Sequence, residues 1–595
     1  MKILFLCVEN AGRSQMAEAF ARRHALPGAE IFSAGSQPAE RIHPAVADAM
    51  REIGIELAGQ TPKGLPDLPE GTFDLAVTMG CGDSCPAVQV KRVVAWEVQD
   101  PKDQPPETVR GVRDEISRKV RRLLAEQRPI RLRRWTTLTG GLVLAISCLF
   151  LLSASLISPA LGVPRPEKAL ALVSGRTLQL REGLASLPPW ERRLHAFLDP
   201  RVGGPEEISE LIGWHRELLL IRKDPALVAH LGILEGESGG RDLLDRQTRR
   251  WAEEGPFQIP VFAWLLRSAY LEKPSPSFSQ ELETWTLELL PPGWFRDRLQ
   301  QRIASAIGAQ ARAQELEAAN GDQEKRLLGR YRWMSGLDLA VLGLFLVSLR
   351  IYSRRPRPFW KSAAASIPLP WAFPTGISLL IQGAGLGILL AFAASFLPLP
   401  PTPLLSMAWS LSWTLPILWI ARIRLLRPNG LRLREELGLE TRPHAAGKFL
   451  VMALLGLGLD SVGGWLIGTA CGFLNLPNHW AESFDPDLVW GGRTALLTGL
   501  AGIVLAGPFF EEAVFRGLLY GTLRTRFRRA GATALSAAVF SLLHGYGVFG
   551  FLTVFWSGVV FAWVYEEGGS LWPAVAAHAA GNLLFSANVI AMLRM

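Results

Sequence analysis

Eight residues near the start of the chain, Cys7-Val8-Glu9-Asn10-Ala11-Gly12-Arg13-Ser14, stand between a strand pattern and a helix pattern. A loop at a helix N-terminus offers several backbone N–H groups that have no partner within the helix, and the helix dipole favours an anion there. Gly12 lets the backbone turn closely. Arg13 is able to grip a tetrahedral oxyanion through two parallel hydrogen bonds. The same positive field favours the thiolate of Cys7, and Ser14 is placed to donate to that sulfur. The set suits nucleophilic attack by Cys7 on phosphorus or arsenic, with Val8, Glu9, Asn10, Ala11, Gly12 and Arg13 forming the oxyanion loop.

Two later features bear on that loop. Asp100-Pro101 follows a strand pattern. Poised over the loop, Asp100 would protonate a leaving oxygen; by itself the pair is a turn signal. Cys81 and Cys85 are four residues apart in the same stretch. Such a pair reads as redox, metal-binding or packing. Zinc would want two further soft ligands nearby, whereas a thiol relay needs three thiols, and Cys7, Cys81 and Cys85 are three.

A second constellation occupies the last part of the chain, where Glu511-Glu512 and Arg516, His544, and His578 with Asn582 sit in or beside apolar runs. Ionisable groups at membrane depth are costly and point to function. Glu512 and Arg516 share a helix face, as do His578 and Asn582. Three helices would bring these groups into one bundle core. Glutamate with histidine either activates water directly or binds a divalent metal such as zinc, for which Glu511, His544 and His578 are the candidate ligands. The remaining His and Asn would stabilise an oxyanion.

The elements around these residues imply a multidomain protein. The chain has 595 residues, 49% hydrophobic yet 20% charged, with Trp 20 and a formal net charge of +9. Soluble parts joined to a polytopic α-helical membrane part fit that mixture. The clusters of arginine lie beside apolar segments, which fits the positive-inside pattern and argues against nucleic acid as a partner. The short run Ile3–Val8 reads as a first strand rather than a signal core, so the N-terminal domain is expected in the cytoplasm.

Strand patterns at Ile3–Val8, Glu30–Ser33, Leu75–Met79 and Val93–Trp96 alternate with helix patterns at Ser14–His24, Pro44–Ile53 and Thr108–Leu124. Residues 1–127 therefore read as an α/β domain with a parallel sheet. Residues 128–159 hold a basic linker and a first span near 138–158. Residues 160–335 form a helical extracytoplasmic insert of unreadable role. Residues 336–444 carry spans near 335–349, 372–398 and 403–421 with a basic cytoplasmic loop. Residues 445–595 carry spans near 448–472, 492–510, 532–545, 548–565 and 571–592, nine in all. The expected setting is the cytoplasmic membrane, with lipid as a partner.

Residues 1–127 resemble the low-molecular-weight tyrosine phosphatase fold, and within it the thioredoxin-coupled arsenate reductases. The resemblance rests on Cys7 to Ser14, on Ser33-Ala34-Gly35-Ser36, on Cys81 with Cys85, and on Asp100-Pro101. It implies that Cys7 attacks arsenate, that Cys81 then attacks Cys7 and releases arsenite, and that a Cys81–Cys85 disulfide passes to thioredoxin or another thiol system. It implies no cofactor for the reductase, and an ordering role for Asn10. A membrane-anchored tyrosine phosphatase is the alternative, although Lys102-Asp103 follow Asp-Pro here where phosphatases generally have tyrosines. Residues 445–592 resemble the CAAX protease and bacteriocin-processing family of intramembrane endopeptidases. That resemblance implies water activation by Glu511 and His544, assistance from His578 and Asn582, and a holding role for Glu512 with Arg516, on an unknown peptide substrate. A non-proteolytic immunity or anchoring protein is the alternative.

Overall fold

The computed structural model describes residues 1–24, 28–80, 88–127, 134–199, 207–254, 258–272, 279–356, 369–397, 411–440, 446–476 and 478–594, with 202, 204, 359, 367, 405 and 408 between them. Cys81 and Cys85 therefore lie outside the described residues.

The first domain is a four-stranded sheet in the order β2-β1-β3-β4, formed by β1 (Lys2–Cys7), β2 (Glu30–Gly35), β3 (Leu75–Thr78) and β4 (Val93–Ala95). All neighbours are parallel, with Leu6 opposite both Ala34 and Thr78. Helices α1 (Arg13–Arg23), α2 (Pro44–Arg51) and α3 (Pro106–Gln127) complete it. β1 is apolar on both faces: Ile3 and Phe5 join Met16, Val109 and Ile116 in one core, while Leu4 and Leu6 join Phe73 in another. A central parallel strand buried on both sides needs that continuous apolar run.

Beyond it, α4 (Arg134–Ile157) packs against α14 (Phe373–Ser395). A Cβ at Gly385 would stand 2.6 Å from the Gly140 Cα, so the two backbones meet through glycines, as close-packed membrane helices do. The insert comprises α5 (Pro166–Ala185), α6 (Pro189–Leu198), α7 (Glu207–Ile221), α8 (Pro225–Glu237), α9 (Arg241–Glu254), α10 (Gln258–Tyr270), α11 (Ser279–Leu289) and α12 (Trp294–Ala306). It leads into α13 (Gln310–Ser353). Then follow α15 (Thr414–Ala421), α16 (Ala446–Phe473), α17 (Arg493–Leu523), α18 (Arg529–Leu542), α19 (Val548–Gly568) and α20 (Leu571–Leu593).

Six of the described helices, α13, α14, α16, α17, α19 and α20, are long and apolar enough to cross a membrane, against the nine spans expected. The span expected at 335–349 is the C-terminal part of a 44-residue helix that begins in the insert. The one expected at 492–510 runs on without a break to Leu523, because π-helical turns at Ala501–Ala506 and Ala513–Tyr520 let the helix continue past its charged residues. α18 has only 14 residues, fewer than the roughly 20 that a bilayer core requires. The span expected at 138–158 falls on α4, which shows the apolar segment Thr136–Ser147 among the described residues, most side chains beyond it lying outside them, as does part of 403–421.

Candidate active sites

In the first site Cys7 ends β1, the central strand, and α1 begins at Arg13. Between them the loop turns its carbonyls outward. The oxygens of Cys7, Val8, Glu9 and Ala11 accept from the N–H groups of Ser36, Gln37, Ala39 and His43. Among the described residues nothing accepts from the N–H groups of residues 9–13, which leaves them available to an anion. Asn10 holds the turn with a φ of 48°, a left-handed conformation that asparagine tolerates. Gly35 lies beneath the loop, where a Cβ would meet the Val8 oxygen at 2.6 Å and the Asn10 nitrogen at 2.8 Å.

The Asn10 side chain fixes the proton order of the site. Its Nδ2 donates to Ser14 Oγ at 2.7 Å and to Ser33 Oγ at 2.9 Å. Its Oδ1 accepts from Gln15 Nε2 at 2.9 Å and from the Lys63 backbone at 2.8 Å. Ser33 in turn donates to the buried Glu18 carboxylate. Since Ser14 accepts from Asn10, its own hydroxyl hydrogen is free to point at Cys7 Sγ, 2.9 Å away. Ser14 is thus placed to donate to the Cys7 sulfur. Gln15, Glu18 and Lys63 were not singled out from the sequence, because buried polar residues on a helix carry no spacing signal.

Arg13 is 8% exposed and donates to Asp100 Oδ2 at 2.6 Å and to the Val98 carbonyl at 3.3 Å. Asp100 reaches the loop through this ion pair. A Cβ on Gly80 would come within 2.7 Å of Arg13 Nη1, so the residue preceding Cys81 sits against the loop's arginine. At the rim Lys102 donates to Glu9 Oε1 at 2.6 Å and His43 lies 3.0 Å from Oε2. Lys102 holds the Glu9 carboxyl below its ordinary value, against an opposing push from burial.

The second site lines a cavity of about 1180 Å³ walled by α13, α16, α17, α19 and α20. Of the residues expected in one bundle core, Glu511, His544, His578 and Asn582 line it and Glu512 does not. The two adjacent glutamates separate. Glu512 is fully buried, with Oε1 3.0 Å from Arg516 Nη1 and 3.0 Å from His578 Nδ1. Arg516 is also fully buried, and its guanidinium lies 4.1 Å over the Phe540 ring. Glu511 keeps a quarter of its side chain exposed (25%), with Oε2 3.9 Å from His578 Nε2.

Both imidazoles are oriented through Nδ1. His578 donates to Glu512, and His544 to the Phe540 carbonyl at 2.8 Å, which leaves each Nε2 for the cavity. Asn582 Nδ2 donates to the Ile503 carbonyl at 2.8 Å and has a second N–H to spare. Asp460, missed from the sequence, also lines the cavity and accepts from Ser557 at 2.7 Å. It is the one acid in the apolar run of α16, and that depth was its signal. Among the described residues no three His, Cys, Asp or Glu side chains are grouped as a metal ion requires. Among those residues Glu511, His544 and His578 are therefore not assembled as a zinc site.

Residues 2–131 match the family model described as low molecular weight phosphotyrosine protein phosphatase. Residues 493–584 match that described as type II CAAX prenyl endopeptidase Rce1-like. The chain is 37% identical over 133 residues to a putative arsenate reductase of Halobacterium salinarum, covering 22% of this chain and 94% of that protein. It is 32% identical over 128 residues to the glutaredoxin arsenate reductase of Synechocystis, covering 21% and 97%. To an arsenate reductase of Halalkalibacterium halodurans it is 35% identical over 129 residues, covering 20% and 91%. With its apolar helices, the chain is a membrane protein that belongs at its N-terminus to the arsenate reductases of low-molecular-weight phosphatase fold and carries at its C-terminus a Rce1-like CAAX endopeptidase domain.

Proposed function

We propose that the first site reduces arsenate in the cytoplasm and that the second hydrolyses a peptide bond within the membrane, with the residues acting as follows. The amides of residues 9–13 and Arg13 bind arsenate. The Cys7 thiolate, held by Ser14, attacks arsenic, and an oxygen leaves as water with a proton from Asp100. Cys81 then attacks Cys7 Sγ. The sulfur–arsenic bond breaks, its electron pair stays on arsenic, and arsenite departs. Cys85 attacks Cys81, freeing Cys7, and an external dithiol reduces the Cys81–Cys85 disulfide. The observation that carries this reading is the Asn10–Ser14–Cys7 chain of hydrogen bonds inside an anion cradle. Gly80 beside Arg13 supports the approach of Cys81. Thioredoxin is the expected reductant, with the glutaredoxin-named relative supporting a small-thiol system as the second choice.

The test is arsenite release by the full chain with thioredoxin and its reductase, or with glutathione and glutaredoxin. Cys7→Ser and Cys81→Ser should both abolish it. Equal activity of Cys81→Ser and wild type would end the three-thiol relay.

In the membrane site Glu511 takes a proton from water, whose oxygen attacks the peptide carbonyl. The oxyanion is met by protonated His578 Nε2 or the spare N–H of Asn582, and the proton passes to the leaving amine. The exposure of Glu511 beside the buried Glu512–Arg516 pair carries this assignment. Undiminished processing of a candidate peptide by Glu511→Gln would refute it.

A further inference from the structure

The cavity of the membrane domain is displaced toward one end of α16, α17 and α19, while α13 and α20 meet it near their middles. α16 contributes residues from Gly458 onward, α17 residues up to Glu511, α19 residues up to Phe561, and α20 residues from His578 onward. At the opposite ends Arg524 pairs with Glu566 and Arg529 with Glu567 of α19, and Trp572 of α20 donates to the Leu439 carbonyl beyond the basic segment Arg422–Arg434. There the first domain docks: Arg121 of α3 donates to the Gly430 carbonyl at 2.8 Å and pairs with Glu435 at 3.1 Å. The cavity's own end is covered by the insert. Leu170, Leu218 and Leu227 pack with Trp480, Phe484 and Leu488 of the loop between α16 and α17. Trp465 of α16 donates to the Phe197 carbonyl at 2.7 Å, and Phe197 itself lines the cavity.

Apart from the two histidines His544 and His578, the charged side chains lining this space are all acids. Asp338, Asp460, Glu482, Asp485 and Asp487 join Glu511 in the wall, while no lysine or arginine does so among the described residues. This occurs in a chain whose net charge is +9. Among the described residues no lysine or arginine pairs with any of those five acids. Asp485 caps a short helix at Leu488, and Glu482 accepts from the Gly547 backbone. Burial without a cationic partner raises the carboxyls of both Glu482 and Asp485. A low-dielectric cleft lined by one sign of charge concentrates ligands of the other sign.

We infer that the cavity takes a lysine- or arginine-bearing peptide segment, admitted on the membrane face opposite the reductase domain. The inference rests on the peptidase reading of Glu511 and adds the substrate's charge and its side of entry. The basic side chains pair with Asp338, Asp485 and Asp487 of the wall, and the segment beside them reaches Glu511 and His544.

The experiment uses the full chain as Glu511→Gln in phosphatidylcholine nanodiscs, so that bound peptide is not cut and the lipid carries no net charge. The probe is a short fluorescent peptide rich in lysine and arginine, compared with the same peptide carrying glutamine or glutamate instead. Expected is binding about tenfold tighter for the basic peptide than for the glutamine peptide at low salt, a gap that salt narrows. Asp485→Asn with Asp487→Asn, which keeps the helix cap, should close most of that gap and leave arsenate reduction unchanged. Asp338→Asn, on a different helix, should narrow it if the loop variant does not fold. Equal binding of the three peptides, a salt-independent gap, or a gap that survives these substitutions overturns the inference. Cleavage separates the two readings. Wild type that cuts neutral and basic peptides equally refutes the charge preference and keeps the peptidase. A basic peptide that is bound selectively but never cut refutes the peptidase and keeps the cationic occupant.

Discussion

Glu511 and Glu512 are adjacent in sequence, yet the structure predicts opposite consequences for the same substitution. Glu512→Gln removes the carboxylate from a pair in which both side chains are fully buried, leaving Arg516 charged and without its anion. Removing one partner of a buried pair costs about 3–5 kcal/mol. The Phe540 ring 4.1 Å from the Arg516 guanidinium persists and retains some stabilisation of the cation, so the low end, about 3 kcal/mol, is expected. Since each 1.4 kcal/mol is tenfold, that is roughly two decades in the rate of thermal inactivation if the pair is lost in the transition state for unfolding. Glu511→Gln removes a carboxylate with 25% of its side chain exposed and, among the described residues, no hydrogen bond to a protein group, so its cost is expected within about 0.5 kcal/mol. The assay is the fraction of detergent-solubilised protein that stays monodisperse after heating, measured alongside peptide cleavage. Glu512→Gln with Arg516→Met should recover most of the lost stability, because the uncompensated charge goes with its partner. The reasoning is refuted if Glu512→Gln is as heat-resistant as wild type, or if the double variant is less stable than the single one.

Three further outcomes follow from other parts of the molecule. Gly35→Ala forces a Cβ to within 2.6 Å of the Val8 oxygen; the loop must shift, and arsenate reduction should fall at least about tenfold with membrane insertion intact, since overpacking costs about 1–3 kcal/mol. Asn10→Ala removes four side-chain hydrogen bonds, to Ser14, Ser33, Gln15 and Lys63, and leaves alanine at φ 48°. At about 1 kcal/mol each, with about 1 more for the backbone, the loss near 5 kcal/mol should appear as faster hydrogen exchange at residues 8–15 and as lost reduction. In the insert, His215 is buried against Leu211, and burial lowers its pKa to about 4; His230 beside it is lowered by burial as well. Both are neutral when folded and take up protons more readily when unfolded. Their stabilising contribution is therefore full above about pH 6.5 and is lost as pH falls toward 4, at about 1.4 kcal/mol per pH unit for each histidine. Hydrogen exchange across residues 211–235 should accelerate over that range, and a flat profile would refute the assignment.

The sequence alone determined the features that depend on local pattern. The alternation of short apolar strands with helical periodicities specified a parallel sheet, since only strands buried on both faces read as unbroken apolar runs. Cys7 to Ser14 specified the anion loop, because backbone turn, arginine and thiol are all set within eight residues. The charged residues within apolar runs marked the second site. What the tertiary structure decided is what depends on contacts between distant segments. The loop carbonyls are captured by the N–H groups of Ser36 to His43, and the loop amides are left available. Glu511 rather than Glu512 became the exposed carboxylate because Arg516 and His578 converge on Glu512 from within one helix and from another. Helix continuity was likewise decided there: π-helical turns carry α17 through Glu511 and Glu512 as a single span, which no window of hydropathy distinguishes from a helix that ends and begins again. The acid-lined cavity is assembled from α13, α16, the loop after it and the helices beyond, and so belongs to no one stretch of sequence.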